Sequence, residues 1–233
     1  MKCIICEGNT NLIQYKVSQC ENCKHTYINY DGDGIHYHKS LYRSKGEEGR
    51  RDQTEVVDGV FTDKFHQRRD EICKKRINFL EPIIGKVDSL LDIGAGGGTF
   101  LNLIKDRIEE VEGTEVSDIC NENLTRDGYK VYHGAFTQMN IEKSYDLVTC
   151  WHVLEHIENL ADFPKKAAQC TNKYLVLEVP INRRLRNPDV EFDGHFHYFT
   201  RESLAKLFEE YFEVDFIIPG VQQPCLLAQF RKK

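Results

Sequence analysis

The chain has 233 residues, 40% of them hydrophobic and 11% aromatic, enough for one full α/β domain with a small attachment. A formal net charge of −6 and the absence of a basic tract argue against a nucleic-acid partner. No run of about 18 apolar residues marks a membrane span. The opening Met1-Lys2-Cys3-Ile4-Ile5-Cys6 lacks a signal-peptide core, so the nine cysteines read as reduced, cytoplasmic and better suited to metal than to disulfides.

Residues 1–30 read as a unit of their own. Cys3-x-x-Cys6 and Cys20-x-x-Cys23 are two knuckles separated by thirteen residues. Each can place two thiolates on one ion, and the pair completes a closed tetrahedral zinc site with a structural role. Leu12-Ile13-Gln14-Tyr15-Lys16-Val17 alternates like one strand, and Thr26 to Tyr30 reads as another, so the segment looks like a zinc ribbon. His25 is a substitute ligand should one cysteine not bind. Asp31 to Gly59, rich in Gly, Asp, Lys and Arg, reads as a solvated linker. Phe61 to Leu80 then carries apolar residues on one helical face at Phe61, Phe65, Ile72, Ile77 and Leu80, and Pro82 and Gly85 end it. Linker and helix together span 31–80, leaving 81–233 as the main domain.

Ser89 to Phe100 is the organising stretch. An apolar strand runs into Asp92-Ile93-Gly94-Ala95-Gly96-Gly97-Gly98, and an amphipathic helix follows. Strand, glycine loop and helix together suit a nucleotide-like ligand, because glycines let it approach the backbone. A dinucleotide fingerprint would need glycine at position 99, where Thr99 stands. A second strand, Glu110 to Val116, places Glu115 where a carboxylate can take both ribose hydroxyls. Further strands at 129–133, 145–150 and 173–179 alternate with helices at 98–108, 118–127, 159–170 and 201–211, implying a parallel sheet covered on both faces. Phe212–Ile218 and Cys225–Phe230 read as a closing antiparallel hairpin.

From Phe79 onward, the acidic-x-Gly-x-Gly-x-Gly loop with Glu115 resembles the class I S-adenosylmethionine-dependent methyltransferases. The resemblance implies a Rossmann-like, seven-stranded sheet, parallel apart from the C-terminal hairpin. It implies S-adenosylmethionine as cofactor, held by Asp92, Gly94, Ala95, Gly96, Gly98, Glu115, Val116, Ala135, Phe136 and Trp151. It also offers a second reading of the linker, as a lid in which Tyr37, His38 and Tyr42 line the acceptor pocket.

The acceptor side rests on two segments at the carboxyl ends of strands, where open α/β sheets bind ligands. In Cys150-Trp151-His152-Val153-Leu154-Glu155-His156, the residues His152, Glu155 and His156 share a helical face. The segment resembles the Leu-Glu-His stretch of small-molecule methyltransferases. A comparable trio holds a metal in some quinone-pathway relatives, so Mg²⁺ is an alternative to base or structural roles. Trp151 either packs on adenine or belongs to the core. In Gly194-His195-Phe196-His197-Tyr198-Phe199-Thr200, alternation places His195 and His197 on one side. That stretch resembles one found in sugar and polyketide methyltransferases, and Thr200 is positioned to cap the next helix. A neutral imidazole suits general-base work near pH 7, with His195 ranked first, His152 second and His156 beside them. Each of these histidines has the alternative of a packed, hydrogen-bonded residue.

The reading that follows is a cytoplasmic methyltransferase, monomer or homodimer, acting on a small polar acceptor. The ribbon resembles that of sugar and polysaccharide-pathway enzymes, implying a nucleotide sugar or glycan precursor methylated at oxygen, or at carbon. Two other readings are an RNA base methyltransferase and a non-catalytic cofactor-binding module. The short Arg183-Arg184-Leu185-Arg186 cluster is a poor basic stripe for RNA. No Asn-Pro-Pro-Tyr or Asp-Pro-Pro-Tyr segment is present, which counts against exocyclic amines of DNA bases.

Overall fold

The computed structural model describes residues 2–14, 16–28, 56–57, 59–181, 195–222 and 224–233. Most of the 31–59 linker, with Tyr37, His38 and Tyr42, lies outside them, as does the loop from Arg183 to Asp193.

In chain order the elements are β1 (Thr10–Gln14), β2 (Val17–Cys20), β3 (Thr26–Ile28), β4 (Val56–Val57), β5 (Val60–Phe61), α1 (Asp63–Ile84), β6 (Ser89–Ile93) and α2 (Thr99–Ile104). There follow β7 (Glu110–Glu115), α3 (Asp118–Arg126), β8 (Lys130–His133), β9 (Tyr145–Trp151), α4 (Phe163–Cys170) and β10 (Thr171–Pro180). The chain closes with β11 (His197–Tyr198), α5 (Arg201–Phe208), β12 (Phe212–Pro219) and β13 (Cys225–Lys232). Seven strands form one sheet in the order β12-β13-β10-β9-β6-β7-β8. The β6–β7 and β7–β8 pairs are parallel, whereas β10–β13 and β12–β13 are antiparallel. This is the expected Rossmann-like sheet with its C-terminal hairpin. Among the described residues, no helix is long and apolar enough to cross a membrane.

Two compact units emerge, residues 35–149 and residues 1–34 with 150–233. The cysteine segment therefore groups with the C-terminal part of the chain. In the 35–149 unit, the core gathers Leu90, Leu91, Ile93, Leu101, Ile104, Leu124, Leu147 and Val148, all buried. Helix α1 extends past Pro82, which sits in its last turn, and ends at Gly85. Helix α2 stops at Ile104, well short of the expected 108. Ser117 caps α3 by accepting from the Cys120 N–H.

In the other unit, β1 to β3 and β11 form a four-stranded sheet. The expected single strand from Leu12 to Val17 is instead a hairpin. Gln14 pairs with Val17, and the chain reverses at Lys16, whose φ is 57°. Leu12 and Ile13 are 69% and 46% exposed, so their apolar character does not mark a core face. A second core is aromatic: Phe208 lies 4.8 Å from Phe230, with Phe163 and Phe212 around it. Thr200 caps α5 as expected, accepting from the Ser203 N–H while the Ser203 hydroxyl accepts from Thr200 N.

Candidate functional site

In the 35–149 unit the glycine loop turns between β6 and α2. Its shape depends on close approach. A Cβ on Gly97 would lie 2.4 Å from the Phe65 ring of α1. Gly98 has φ +81°, and a Cβ there would meet Leu124 at 2.7 Å. The N–H groups of Gly94, Ala95, Gly96 and Gly98 are all engaged within this unit, by Thr114, Glu115 and Ala95. Glycine therefore supplies room here, and these four N–H groups are not open donors.

Glu115 closes the loop from β7. Its Oε2 accepts from Gly96 N at 2.7 Å, and its Oε1 accepts from Val116 N and Ser117 N at 2.8 Å each. One acceptor position of Oε2 stays available by lone-pair count. Burial raises the Glu115 pKa, and the three N–H bonds offset this only in part. Asp92 at the end of β6 is 2% exposed and accepts from the Thr149 hydroxyl at 2.7 Å. Burial pushes its carboxyl up to about 7, against the pull of Thr149 and Arg76. Two buried acids with raised pKa values fit a ligand that brings cationic groups and a diol. Gly134 N donates to Glu115 O, which brings Ala135 and the one-turn helix Phe136–Gln138 beside the end of β7. Trp151 ends β9 and is 7% exposed.

The four ribbon cysteines converge as expected. Cys3 Sγ and Cys23 Sγ lie 3.7 Å apart, and Cys6 Sγ and Cys20 Sγ 3.5 Å apart. Tetrahedral zinc with bonds of about 2.3 Å holds its sulfurs about 3.8 Å apart, so the donor set fits one ion. Ile5 N and Asn22 N point at Cys3 Sγ and Cys20 Sγ, as N–H groups do around metal-bound thiolates. His25 takes no part. Its Nε2 lies 3.1 Å from His197 Nδ1 in a fully buried pair. Burial pushes both imidazoles down, to about 3 and about 4, so both are neutral near pH 7.

The expected helical trio of His152, Glu155 and His156 does not form on an α-helix. A single 3₁₀ turn, Leu154–His156, carries the last two, and His152 precedes it at φ 57°. His152 Nδ1 donates to Glu155 Oε1 at 3.2 Å. Its Nε2 lies 3.7 Å from both Glu178 Oε2 and Cys225 Sγ. Burial alone would lower the His152 pKa, but Cys225, Glu155 and Glu178 push it up to about 11. These neighbours favour its protonated form, and the donor atoms of His152, Glu178 and Cys225 all lie within 4.8 Å of one another.

The structure also assembles Glu155, His156 and His195. Their donor atoms lie within 4.8 Å of one another. The His156 and His195 rings are 4.6 Å apart, Glu155 is fully buried, and its Oε2 has no hydrogen-bond partner. His197, expected on the same side as His195, is instead buried and bonded to His25 and the Ile157 carbonyl. Glu178 and Cys225 were not anticipated at any site. A lone glutamate inside the apolar strand Leu175-Val176-Leu177-Glu178-Val179 was the available signal.

A methyltransferase-domain family model matches residues 65–213, well over half of the chain. The chain belongs to the methyltransferase-domain family. Among curated proteins, the ubiquinone biosynthesis O-methyltransferase of Nitrosomonas europaea is 28% identical over 109 residues, covering 42% of this chain and 46% of that relative. The chain thus spans about half the length of the curated relatives it matches. Among solved structures, magnesium protoporphyrin IX methyltransferase from Synechocystis PCC 6803 with bound S-adenosylmethionine superposes with a TM-score of 0.57 at 14% identity, covering 88% of this chain and 100% of that one. The N-methyltransferase NodS from Bradyrhizobium japonicum WM9, with S-adenosylhomocysteine, gives 0.55 at 17% identity, covering 71% and 90%. These two establish the class I methyltransferase fold.

Proposed function

We propose that the protein transfers the methyl group of S-adenosylmethionine to a hydroxyl of a small polar acceptor, a nucleotide sugar or glycan precursor. S-adenosylmethionine supplies a methyl group already activated on a sulfonium. The chain's own residues position, exclude water and manage the acceptor proton. Glu115 holds the ribose through its remaining acceptor capacity, Asp92 and the glycine loop hold the methionine end, and Val116, Ala135 and Phe136 lie against the base. The four cysteines hold one structural zinc ion.

One observation carries the acceptor side: a fully buried carboxylate, Glu155, with an oxygen within 4.8 Å of ring nitrogens of His156 and His195. A buried carboxylate orients and stabilises an imidazole that takes up a proton. His195 is the proton acceptor, with the His156 ring 4.6 Å from its own. His152 stays protonated and neutralises Glu155 from the other side. Oxygen as the methylated atom is supported by the curated relatives, which are ubiquinone biosynthesis O-methyltransferases. The same relatives favour a second acceptor class, a hydroxyl of a ubiquinone precursor, for which simple phenols serve as probes. The cysteine ribbon supports the sugar reading through its resemblance to sugar-pathway enzymes.

The test is a radiolabelled-methyl assay against nucleotide sugars, simple phenols and total RNA. Label in a nucleotide sugar that disappears with His195→Ala supports the proposal. Label in RNA alone overturns it, and label in phenols alone selects the second reading.

A further inference from the structure

We propose that His197 is a positioning residue through which the cysteine ribbon holds Glu155, His156 and His195 in place, an inference that rests on the acceptor-side assignment above. His197 is 4% exposed, and both of its ring nitrogens are used. Nε2 lies 2.9 Å from the Ile157 carbonyl oxygen, and Nδ1 lies 3.1 Å from His25 Nε2. A carbonyl only accepts, so His197 carries its proton on Nε2 and the bare Nδ1 accepts from His25 Nε2–H. One ring thus spans the ribbon and the residue that follows His156.

The backbone repeats this link on either side of His197. Ile28 N, at the end of β3, donates to Phe196 O, and Phe196 N donates to Glu155 O, at 2.8 Å each. On the far side the Thr200 hydroxyl donates to Cys23 O at 2.9 Å, the carbonyl of a cysteine in the zinc-binding set. His197 and Tyr198 pair with Tyr27 and Thr26 as an added strand of the ribbon sheet. Each member of the cluster is therefore tied to the ribbon within one or two covalent steps: Glu155 through Phe196 N, His156 through Ile157, and His195 through Phe196. Apolar packing would hold these elements together without setting their spacing. Two directional bonds on opposite corners of one rigid ring set it.

The experiment uses the zinc-loaded protein and needs no acceptor. His197→Gln places an amide where Nε2 stood, which keeps the Ile157 bond and removes the His25 bond. His25→Phe keeps a ring against Phe199 and removes the same bond from the ribbon side. Histidine ring signals are read by ¹H–¹⁵N nuclear magnetic resonance, and S-adenosylhomocysteine affinity by calorimetry. The expected result is full zinc content, cofactor affinity within a few-fold of the parent, and displaced His156 and His195 ring signals. A folded variant of either kind whose His156 and His195 signals match the parent overturns the inference. Should the parent methylate no hydroxyl acceptor, the function proposed above fails, and this readout still decides whether the ribbon sets the cluster.

Discussion

The Tyr145 hydroxyl donates a 2.6 Å hydrogen bond to Glu112 Oε2, from β9 to β7, and Tyr132 adds a hydroxyl contact to Tyr145 at 3.1 Å. Lys130 and Lys143 both reach the same carboxylate. Burial alone would raise the Glu112 pKa, but these donors hold it down to about 2. An unfolded glutamate titrates near about 4.3. The folded pKa is depressed, so this contribution is present above about pH 4.3 and is lost as pH falls through about 2. Glu112→Gln should cost on the order of 2–3 kcal/mol at pH 7 and flatten the acid limb of stability. Denaturant melts at pH 7 and pH 3 measure both; equal losses at the two pH values would refute the linkage.

Glu115 holds the N–H groups of Gly96, Val116 and Ser117, and in the proposed function it also binds the ribose. Glu115→Ala should weaken S-adenosylhomocysteine binding by at least about tenfold, since each charge-assisted bond contributes about 1.5–3 kcal/mol. Glu115→Gln keeps one acceptor oxygen and should lose less. Calorimetry that finds the two variants equal to the parent would place the ribose partner elsewhere.

The ribbon should bind about one zinc ion per chain. Any one of Cys3→Ser, Cys6→Ser, Cys20→Ser or Cys23→Ser should lower the metal content, whereas Cys73→Ser, at a cysteine buried in α1, should not. Cobalt substitution should show thiolate-to-metal charge-transfer absorption. Metal-free protein with an intact ribbon would count against the site.

His152 sits between Glu155 and Glu178, both fully buried. Removing its charge leaves two carboxylates without their shared counter-ion. His152→Gln should destabilise by about 3–5 kcal/mol, and Glu178→Gln in the same chain should restore part of that. The folded pKa is raised, so this stabilisation is complete below about pH 6.5 and is lost as pH rises through about 11. The parent should lose stability on the alkaline side and His152→Gln should not. A variant as stable as the parent would show that the ion pair contributes nothing net.

What was legible in the sequence was local. Strand, glycine loop and helix around Gly94–Gly98 announce themselves within a dozen residues, and so do the two cysteine knuckles. What escaped depends on partners far along the chain or on backbone dihedrals. His152 contacts Glu178 and Cys225, and nothing beside it in sequence reveals them. His197 looked like a sibling of His195 by alternation, but its position is decided by His25. The hairpin at Lys16 was hidden because Leu12 and Ile13 carry strand-like apolarity on exposed positions.

The strand β11 belongs to the ribbon sheet, although 172 residues separate His25 from His197. That separation has a consequence for synthesis. At roughly 5–20 residues per second, about 10–35 seconds pass between the emergence of the two histidines from the ribosome. For that interval β3 presents an open edge, and His25 waits without its partner. The intervening 35–149 unit is translated in between, with its β6–β7–β8 ladder already supplied. Completion of the β1-β2-β3 sheet is thus deferred until residue 198 has been made. A nascent chain released before residue 198 would carry a cysteine cluster whose sheet still lacks its last strand.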